Sequence, residues 1–371
     1  YFTKATGAPM FGYHVELKGT GNPYYPLKVR TTLDKRLQQI LEKDVDQAGL
    51  SKGGAVLLKA DNSNLLAMVN RPLYDSHHPY ASGGKNYMVL PQIPGSVFKM
   101  VTAAAAIEMN AVDPNRLYDC NRTVYGEEGA TRQLGKLTFL QSFAQSCNRT
   151  FAVTANELIL KDRNYMERYA KKLGLIGPVG WKGNVDHEKN FRQIPEEEAG
   201  LIWEDSSYKN NPKSVAQTAI GQLNVRISPL AVANAMATIA RGGKKLAVRA
   251  ADEVDYANGV KLTGFPLEGL PGGRITPYTA MELQKFLSKV VDSPEGTGHI
   301  LSGLPFDVAG KSGTAETGTG ADNHWFAGYF PASDPQYVLV VVNLDRHAGD
   351  MKTYQIYKQV VKDLYNLNRA D

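Results

Sequence analysis

Serine and lysine recur three residues apart at three places in this chain, beginning at Ser82, Ser96 and Ser206. On a helix this spacing puts a hydroxyl and an amine on the same face. A serine hydroxyl is a weak nucleophile until a base takes its proton, and a neutral lysine can be that base. A Ser-x-x-Lys tetrad on a helix could therefore carry out acyl transfer through a covalent serine intermediate. The pattern alone is weak evidence, because so short a pattern also occurs by chance, and an ordinary helix start with a surface lysine is the alternative for the tetrad at Ser96.

The surroundings favour the tetrad at Ser96. It follows Pro94-Gly95 and opens a run of apolar residues that predicts a buried helix. Burial and a second cation nearby would lower the pKa of Lys99 and leave its amine neutral. Ser82 instead precedes two glycines, and Ser206 lies in a polar stretch. Ser96 and Lys99 are thus the candidates for a nucleophile and its base, although the tetrad alone still leaves the ordinary helix start open.

Two further polar motifs could complete such a site. Ser146-Cys-Asn148 is the only Ser-x-Asn sequence in the chain and lies between two predicted helices, where its hydroxyl could relay a proton. Lys311-Ser-Gly-Thr314 lies in a predicted strand, and Gly313 would let a ligand backbone come close. A helix cap and an exposed strand lysine would explain each motif singly. The three motifs together, in this order, are hard to assign to chance.

The periodicity of the remaining chain predicts the elements that must position these motifs. Strands are predicted at 54–60, 64–70, 307–316, 325–330 and 337–343. Helices are predicted at 31–46, 96–109, 138–145, 149–160, 164–173, 213–221, 229–241, 277–291 and 352–367. We therefore expect an α/β (α+β) fold: a five-stranded, mainly antiparallel sheet flanked by helices, with an all-helical subdomain inserted over roughly residues 71–300. Residues 1–28 are interpreted as a linker or the remnant of a preceding domain, and 29–371 as one domain.

Composition restricts the class of protein. With 371 residues, 43% apolar and 21% charged, the chain can bury a sizeable core. A net charge of +5 is too small to indicate nucleic acid as a partner. Two cysteines and seven histidines without ligand spacing predict neither a metal site, a cofactor nor a disulfide framework. We expect Cys147 to be a small packing residue and Cys120 to be buried or free. No apolar run approaches the roughly 18 to 20 residues that cross a bilayer.

The three motifs resemble those of the serine transpeptidases called penicillin-binding proteins, relatives of the serine β-lactamases. The resemblance runs from about residue 29 to the C-terminus and is closest to the monofunctional, class B members. Other similar blocks are Val29-Arg-Thr-Thr-Leu-Asp34, Ala219-Ile-Gly-Gln222, Ser228-Pro-Leu230 and Trp325-Phe-Ala-Gly-Tyr329. Two departures are small: Ser312 replaces a commoner threonine, and Leu223 stands where glycine is frequent.

The resemblance implies a D,D-transpeptidase that cross-links peptidoglycan stem peptides ending in D-Ala-D-Ala. Ser96 would attack the penultimate D-alanine carbonyl, with Lys99 as base. Ser146 would pass the proton to the leaving amine, and Asn148 would hold the substrate amide. β-Lactams would mimic the dipeptide and leave Ser96 acylated.

The same resemblance implies the groups that bind substrate. Lys311 would attract the terminal carboxylate, helped by the hydroxyls of Ser312 and Thr314, and Gly313 would admit the substrate backbone. The backbone N–H groups of Ser96 and Thr314 would form the oxyanion hole. The implied partners are stem peptides, β-lactams and a membrane glycosyltransferase. The implied location is the extracytoplasmic face of the bacterial cell membrane, with an anchor that precedes Tyr1.

Other members of the superfamily remain as alternatives. A class A β-lactamase would carry a Glu-x-x-Leu-Asn segment between the second and third motifs, and none occurs. A class D enzyme would have valine in place of Asn148. A D,D-carboxypeptidase uses the same residues with water as acceptor. A non-catalytic β-lactam sensor or scaffold could keep the fold without turnover.

Overall fold

Twelve strands and nine α-helices make up this computed structural model in the part that it describes, residues 24, 26–73, 84–185, 188–318, 320–346 and 351–370. The strands are β1 (Lys28–Thr31), β2 (Gly53–Lys59), β3 (Leu65–Arg71), β4 (Tyr118–Asp119), β5 (Lys136–Leu137), β6 (Lys182–Val185), β7 (Glu188–Arg192), β8 (Ala251–Asp255), β9 (Lys261–Gly264), β10 (Ala309–Glu316), β11 (Asp322–Phe330) and β12 (Tyr337–Arg346). The helices are α1 (Lys35–Gln47), α2 (Lys99–Glu108), α3 (Phe139–Ala144), α4 (Asn148–Lys161), α5 (Tyr165–Leu173), α6 (Pro212–Ala219), α7 (Pro229–Ala240), α8 (Pro277–Asp292) and α9 (Lys352–Ala370). Short 3₁₀ helices occupy Gly95–Phe98, Ser206–Asn210 and His299–Leu301.

The central sheet has the strand order β10-β11-β12-β2-β3, and every neighbouring pair is antiparallel. In the middle of the sheet Val340 pairs with Ala327 on one side and with Val56 on the other. All three residues are fully buried. The predicted five-stranded antiparallel sheet is therefore confirmed.

Helices cover both faces of this sheet. Because side chains alternate along a strand, Val340 of β12 packs into one core and Leu339 into the other. The core on the Val340 side contains α2, α7 and α8, and the core on the Leu339 side contains α1 and α9. Helix α2 is buried on all sides from Lys99 to Ile107, so that it forms the centre of the larger core.

The region inserted between β3 and β10 is mostly helical, but the prediction of an all-helical subdomain is wrong in one respect. It also carries the six short strands β4 to β9, of which β8 pairs with both β1 and β9. Strands of two to five residues with exposed polar side chains show too little alternation for sequence reasoning to detect. Residues 1–23 and 25, most of the predicted linker, lie outside the described residues. Within the described ranges no helix is long and apolar enough to span a membrane.

One carboxyl group lies in an unfavourable place between α1 and α9. Asp44 on α1 is only 2% exposed, and neither of its oxygens has a hydrogen-bond partner among the described residues. Burial, followed by the negative charge of Asp363 on α9, raises the pKa of Asp44 to about 7. Lys43 forms an ion pair with Asp363 at 2.8 Å and a longer one with Asp44 Oδ1 at 3.8 Å, which offsets only part of this shift.

We predict that Asp44→Asn stabilises the domain in a pH-dependent way. A pKa raised from about 3.9 in the unfolded chain favours folding below pH 4, and this advantage is lost as the pH rises to 7. The variant should therefore match the wild type at pH 4 and exceed its free energy of unfolding by roughly 2 to 4 kcal/mol at pH 8. Urea unfolding at both pH values is the measurement. Glu42→Gln, an exposed change on the same helix, is the control, and an equal gain at both pH values would contradict the prediction.

Candidate active site

The first motif starts the central helix. Ser96 lies in the 3₁₀ helix Gly95–Phe98, which leads directly into α2. The Ser96 hydroxyl is half-buried and has no hydrogen bond to any residue that the structure describes. Lys99, one turn later, is completely buried. The hydroxyl can therefore meet a ligand while the amine stays inside the protein.

The Lys99 amine joins α2 to the second motif. Its Nζ donates hydrogen bonds to Asn148 Oδ1 at 2.7 Å, to the Ser146 carbonyl oxygen at 2.8 Å and to Ser146 Oγ at 3.0 Å. The two Ser146 acceptors belong to the turn between α3 and α4, and Asn148 is the first residue of α4. The amine is thereby fixed on the side of the core from which Ser146 and Asn148 project.

The Ser146 hydroxyl also contacts the third motif. Lys311 of β10 is completely buried, and its Nζ donates to Ser146 Oγ at 3.1 Å and to the Ser312 carbonyl oxygen at 3.1 Å. A hydroxyl has two lone pairs and one proton, so Ser146 can accept from both lysines and still donate to a ligand. The arrangement is suited to passing a proton between Lys99 and a bound molecule.

Both amines are shifted towards the neutral form. Burial, followed by the positive charges of Lys311 and Arg132, lowers the pKa of Lys99 well below its usual range. Burial, followed by Arg132, lowers the pKa of Lys311 to about 7. The Lys99 amine also lies 5.4 Å from the centre of the Phe151 ring. A Lys99 amine that has lost one proton keeps two N–H donors and a lone pair, so that it can act as a base.

Three glycines allow close backbone contacts at the turn before Ser96, two of them between this turn and β10. A Cβ atom on Gly95 would lie 2.3 Å from the Thr314 carbonyl oxygen, and one on Gly313 would lie 2.6 Å from the Pro94 carbonyl oxygen. A Cβ atom on Gly221 would lie 2.0 Å from the Gly95 carbonyl oxygen. No side chain larger than hydrogen fits at these contacts. The junction brings the backbones of Ser96 and Thr314, the predicted oxyanion-hole residues, to neighbouring positions.

The hydroxyl of Ser312 is held by residues that sequence reasoning missed. Ser312 Oγ donates to Thr297 Oγ1 at 2.7 Å, and the Tyr354 hydroxyl donates to the Thr297 carbonyl oxygen at 2.7 Å. The Thr297 N–H in turn donates to the Ala144 carbonyl oxygen at 3.1 Å, next to the second motif. Thr297 lies in a glycine-rich turn and Tyr354 on the last helix, so no short motif connects either to the site.

A disulfide bond anchors the second motif. Cys147, between Ser146 and Asn148, is bonded to Cys120 after β4, and both cysteines are buried. The expectation that Cys120 is buried is therefore confirmed, whereas a free Cys120 and a purely packing role of Cys147 are wrong. Sequence reasoning excluded a framework of several disulfides and overlooked that two cysteines suffice for one. Ser146 itself has φ +60°, a left-handed conformation that non-glycine residues adopt only when their surroundings impose it.

The Ser-x-x-Lys tetrad at Ser206 does not join this site. Ser206 lies in an exposed 3₁₀ helix, where Lys209 pairs with Glu167. Ser82 lies outside the described residues. Among the residues that are described, no group of three or more metal-binding side chains converges. Hydrogen bonds thus bring Lys99, Ser146, Asn148 and Lys311 together, and Ser96 lies one turn before Lys99 at the start of the same helical segment.

Comparison with known proteins points to one family. The family of the penicillin binding protein transpeptidase domain matches residues 53–366. The penicillin-binding protein PbpB of Mycolicibacterium smegmatis is 28% identical over 87% of this chain and 51% of its own length. The peptidoglycan D,D-transpeptidase PbpA of Mycobacterium tuberculosis is 26% identical over 90% of this chain and 70% of its own. The chain thus spans about half of the first relative and more of the second.

Solved structures share the fold. A chain of a peptidoglycan synthase complex, described for the coordination of polymerization and crosslinking, superposes with a TM-score of 0.73 at 26% identity, over 92% of this chain and 63% of its own length. The D,D-transpeptidase domain of a peptidoglycan glycosyltransferase from Eggerthella lenta gives a TM-score of 0.77 at 22% identity, over 100% of this chain and 88% of its own. The latter likeness shows a common fold.

We predict that the disulfide bond stabilises the turn that carries Ser146. Replacing Cys120 and Cys147 together by serine should lower the free energy of unfolding by on the order of 3 kcal/mol, because the bond closes a loop of 27 residues. Urea unfolding of the variant and of reduced wild type should agree, and thiol titration of the unreduced, denatured wild type should find no free thiol. Two titratable thiols in that sample would contradict the structure.

Proposed function

This chain belongs to the family of penicillin-binding protein transpeptidase domains, and on that premise we propose that it cross-links peptidoglycan stem peptides through an acyl-enzyme on Ser96. The observation that carries the proposal is the hydrogen-bonded series Lys99–Ser146–Lys311, one turn along the chain from a Ser96 hydroxyl that has no hydrogen-bond partner among the described residues. A nucleophile, a buried base and a proton relay are the groups that acyl transfer requires.

In the first half of the proposed reaction, Ser96 Oγ attacks the carbonyl carbon of the penultimate D-alanine. Neutral Lys99 takes the serine proton, Ser146 delivers its own proton to the nitrogen of the terminal D-alanine as the C–N bond breaks, and Lys99 returns a proton to Ser146. In the second half, the amine nitrogen of a neighbouring stem bonds to the acyl carbon, the bond from that carbon to Ser96 Oγ breaks, and the proton lost by the nitrogen returns to Ser96 Oγ. The contacts at 3.0 and 3.1 Å around Ser146 Oγ support this route.

Substrate binding follows from the same surroundings. Lys311 carries the charge that attracts the terminal carboxylate, and its pKa of about 7 rises when that carboxylate binds. Exposed Thr314 and half-buried Ser312 supply hydroxyls, and Asn148 supplies an amide for the donor peptide. The backbone N–H groups of Ser96 and Thr314 would hold the oxyanion, which in other acyl transferases is worth about 10²- to 10³-fold for one donor.

The distribution of carboxylates supports transfer to an amine over rapid hydrolysis. A β-lactamase needs a group that activates water near the acyl-enzyme. Among the described residues, no carboxylate forms an ion pair or hydrogen bond with Lys99, Ser146, Asn148 or Lys311. A D,D-carboxypeptidase would use the same side chains, and the fate of the acyl group distinguishes the two activities.

The proposal also includes partners and a location. A similar solved chain belongs to a peptidoglycan synthase complex that coordinates polymerization and crosslinking, which supports a membrane glycosyltransferase as the partner. Stem peptides of the growing wall lie outside the membrane, which supports action at its extracytoplasmic face with an N-terminal anchor. β-Lactams would occupy the donor position as inhibitors.

We predict that benzylpenicillin adds once to the protein and that the adduct is lost in Ser96→Ala. Because Ser206→Ala removes a serine of the same Ser-x-x-Lys pattern at an exposed place, it is the matched control and should keep the adduct. Intact mass spectrometry over several hours is the measurement. An adduct that persists in Ser96→Ala would refute the nucleophile, whereas rapid loss of the adduct with release of hydrolysed drug would identify a β-lactamase.

We predict that Gly313→Ala slows acylation by at least 100-fold, because the new methyl group meets the Pro94 carbonyl oxygen and must move β10 away from the Ser96 turn. Gly269→Ala is the control, since a Cβ atom there has nothing nearer than 3.7 Å. The rate of benzylpenicillin acylation and the free energy of unfolding should both be measured. A folded Gly313→Ala protein that is acylated at the normal rate would show that the close contact is not needed.

A further inference from the structure

The segment between β4 and β5, residues 120–135, closes around the turn of the second motif. Cys120 is bonded to Cys147 at its start. Near its middle, Gly126 lies against the Arg149 guanidinium, where a Cβ atom would come within 2.9 Å. At its end, Arg132 Nη1 donates to the Gln145 carbonyl oxygen at 2.9 Å. The segment therefore holds Arg132 directly beside the residue that precedes Ser146.

Arg132 is a cation without an anionic partner. It is exposed, and none of the described carboxylates forms an ion pair with it. The bond to the Gln145 carbonyl uses one of its five N–H donors, so that the rest of the guanidinium is available to another group. A guanidinium presents these donors in a fork that matches a carboxylate.

The charge of Arg132 acts on the end of the site that contains Lys311 and Ser312. It contributes to the lowered pKa of Lys311. It also acts to lower the pKa of the Tyr354 hydroxyl, which donates a hydrogen bond to the Thr297 carbonyl oxygen. The Lys311 amine, with a pKa of about 7, and the permanently charged Arg132 guanidinium thus act at the same end of the site, and no described carboxylate forms an ion pair with either of them. Such a field attracts an anion from the ligand.

We propose that Arg132 is a specificity residue for the acceptor: its guanidinium binds the carboxylate of an incoming amine that, like the departing D-alanine, carries a carboxylate on the carbon bearing its nitrogen. The inference rests on the proposed function. In the step concerned, the amine nitrogen bonds to the acyl carbon, the bond from that carbon to Ser96 Oγ breaks, and the proton lost by nitrogen returns to Ser96 Oγ. The acceptor enters the space that the departing D-alanine leaves, so the same positively charged end of the site can bind the carboxylates of both molecules.

The test compares two amines that differ only in this carboxylate. The acyl-enzyme is formed from an N-acyl-D-alanine thioester, and its partition between D-alanine and D-alaninamide is measured by product analysis. Because the intrinsic reactivity of each amine is the same in every variant, the ratio of the two products is compared between variants. In Arg132→Gln the preference for D-alanine should fall roughly 5- to 10-fold relative to wild type. Arg132→Lys should restore part of it, since the charge is kept without the fork.

Lys136→Gln, an exposed cation at the start of β5 directly after this segment, is the control and should keep the wild-type ratio. An unchanged ratio in Arg132→Gln would overturn the inference and leave the proposed function standing. An acyl-enzyme that only water attacks would overturn the inference and would indicate a D,D-carboxypeptidase or β-lactamase in place of the proposed transpeptidase. A wild-type protein that forms no acyl-enzyme from the thioester or from benzylpenicillin would overturn both. Loss of the preference in Arg132→Gln with partial rescue in Arg132→Lys supports a charge contact over a merely structural one.

Discussion

The hydroxyl of Ser146 between two buried lysines is the interaction on which the rest of the domain depends. Burying a lysine amine in an apolar core costs free energy unless the amine finds hydrogen-bond acceptors, and here the core contains two buried lysines, Lys99 and Lys311. Lys99 and Lys311 find their acceptors largely on the same short turn. A central helix, a turn and a sheet edge, which are far apart in sequence, must therefore meet at one point.

The backbone conformation allows the helix, the turn and the sheet edge to come into contact. Glycines at the contact between the Ser96 turn and β10 remove every side chain that would separate them, and the left-handed Ser146 turns its hydroxyl towards both amines. The antiparallel sheet supplies a rigid frame, because β10 is hydrogen-bonded to β11 along its whole length. Local strain at Ser146 is thus offset by packing and by the covalent anchor at Cys147.

Sequence reasoning succeeds where a signal is local and repeated. The strands of the central sheet and helices such as α2 were predictable because long apolar or alternating runs leave few other conformations. The three motifs were recognisable because each is contiguous. Thr297, Tyr354 and Arg132 were not predictable, because they reach the site from a turn, a terminal helix and a loop whose sequences have no period. The short strands of the inserted region were not predicted from the sequence for the same reason.

The bond between Cys120 and Cys147 gives the domain a chemical dependence on its surroundings. Because one of the two sulfurs belongs to the turn that carries Ser146, oxidation of the two thiols fixes this turn covalently to the residue after β4. Reducing compartments keep such thiols apart, and oxidising ones outside the cytoplasm let them join. With the extracytoplasmic location proposed above, the covalent anchor of this turn would form only after the chain has left the cytoplasm.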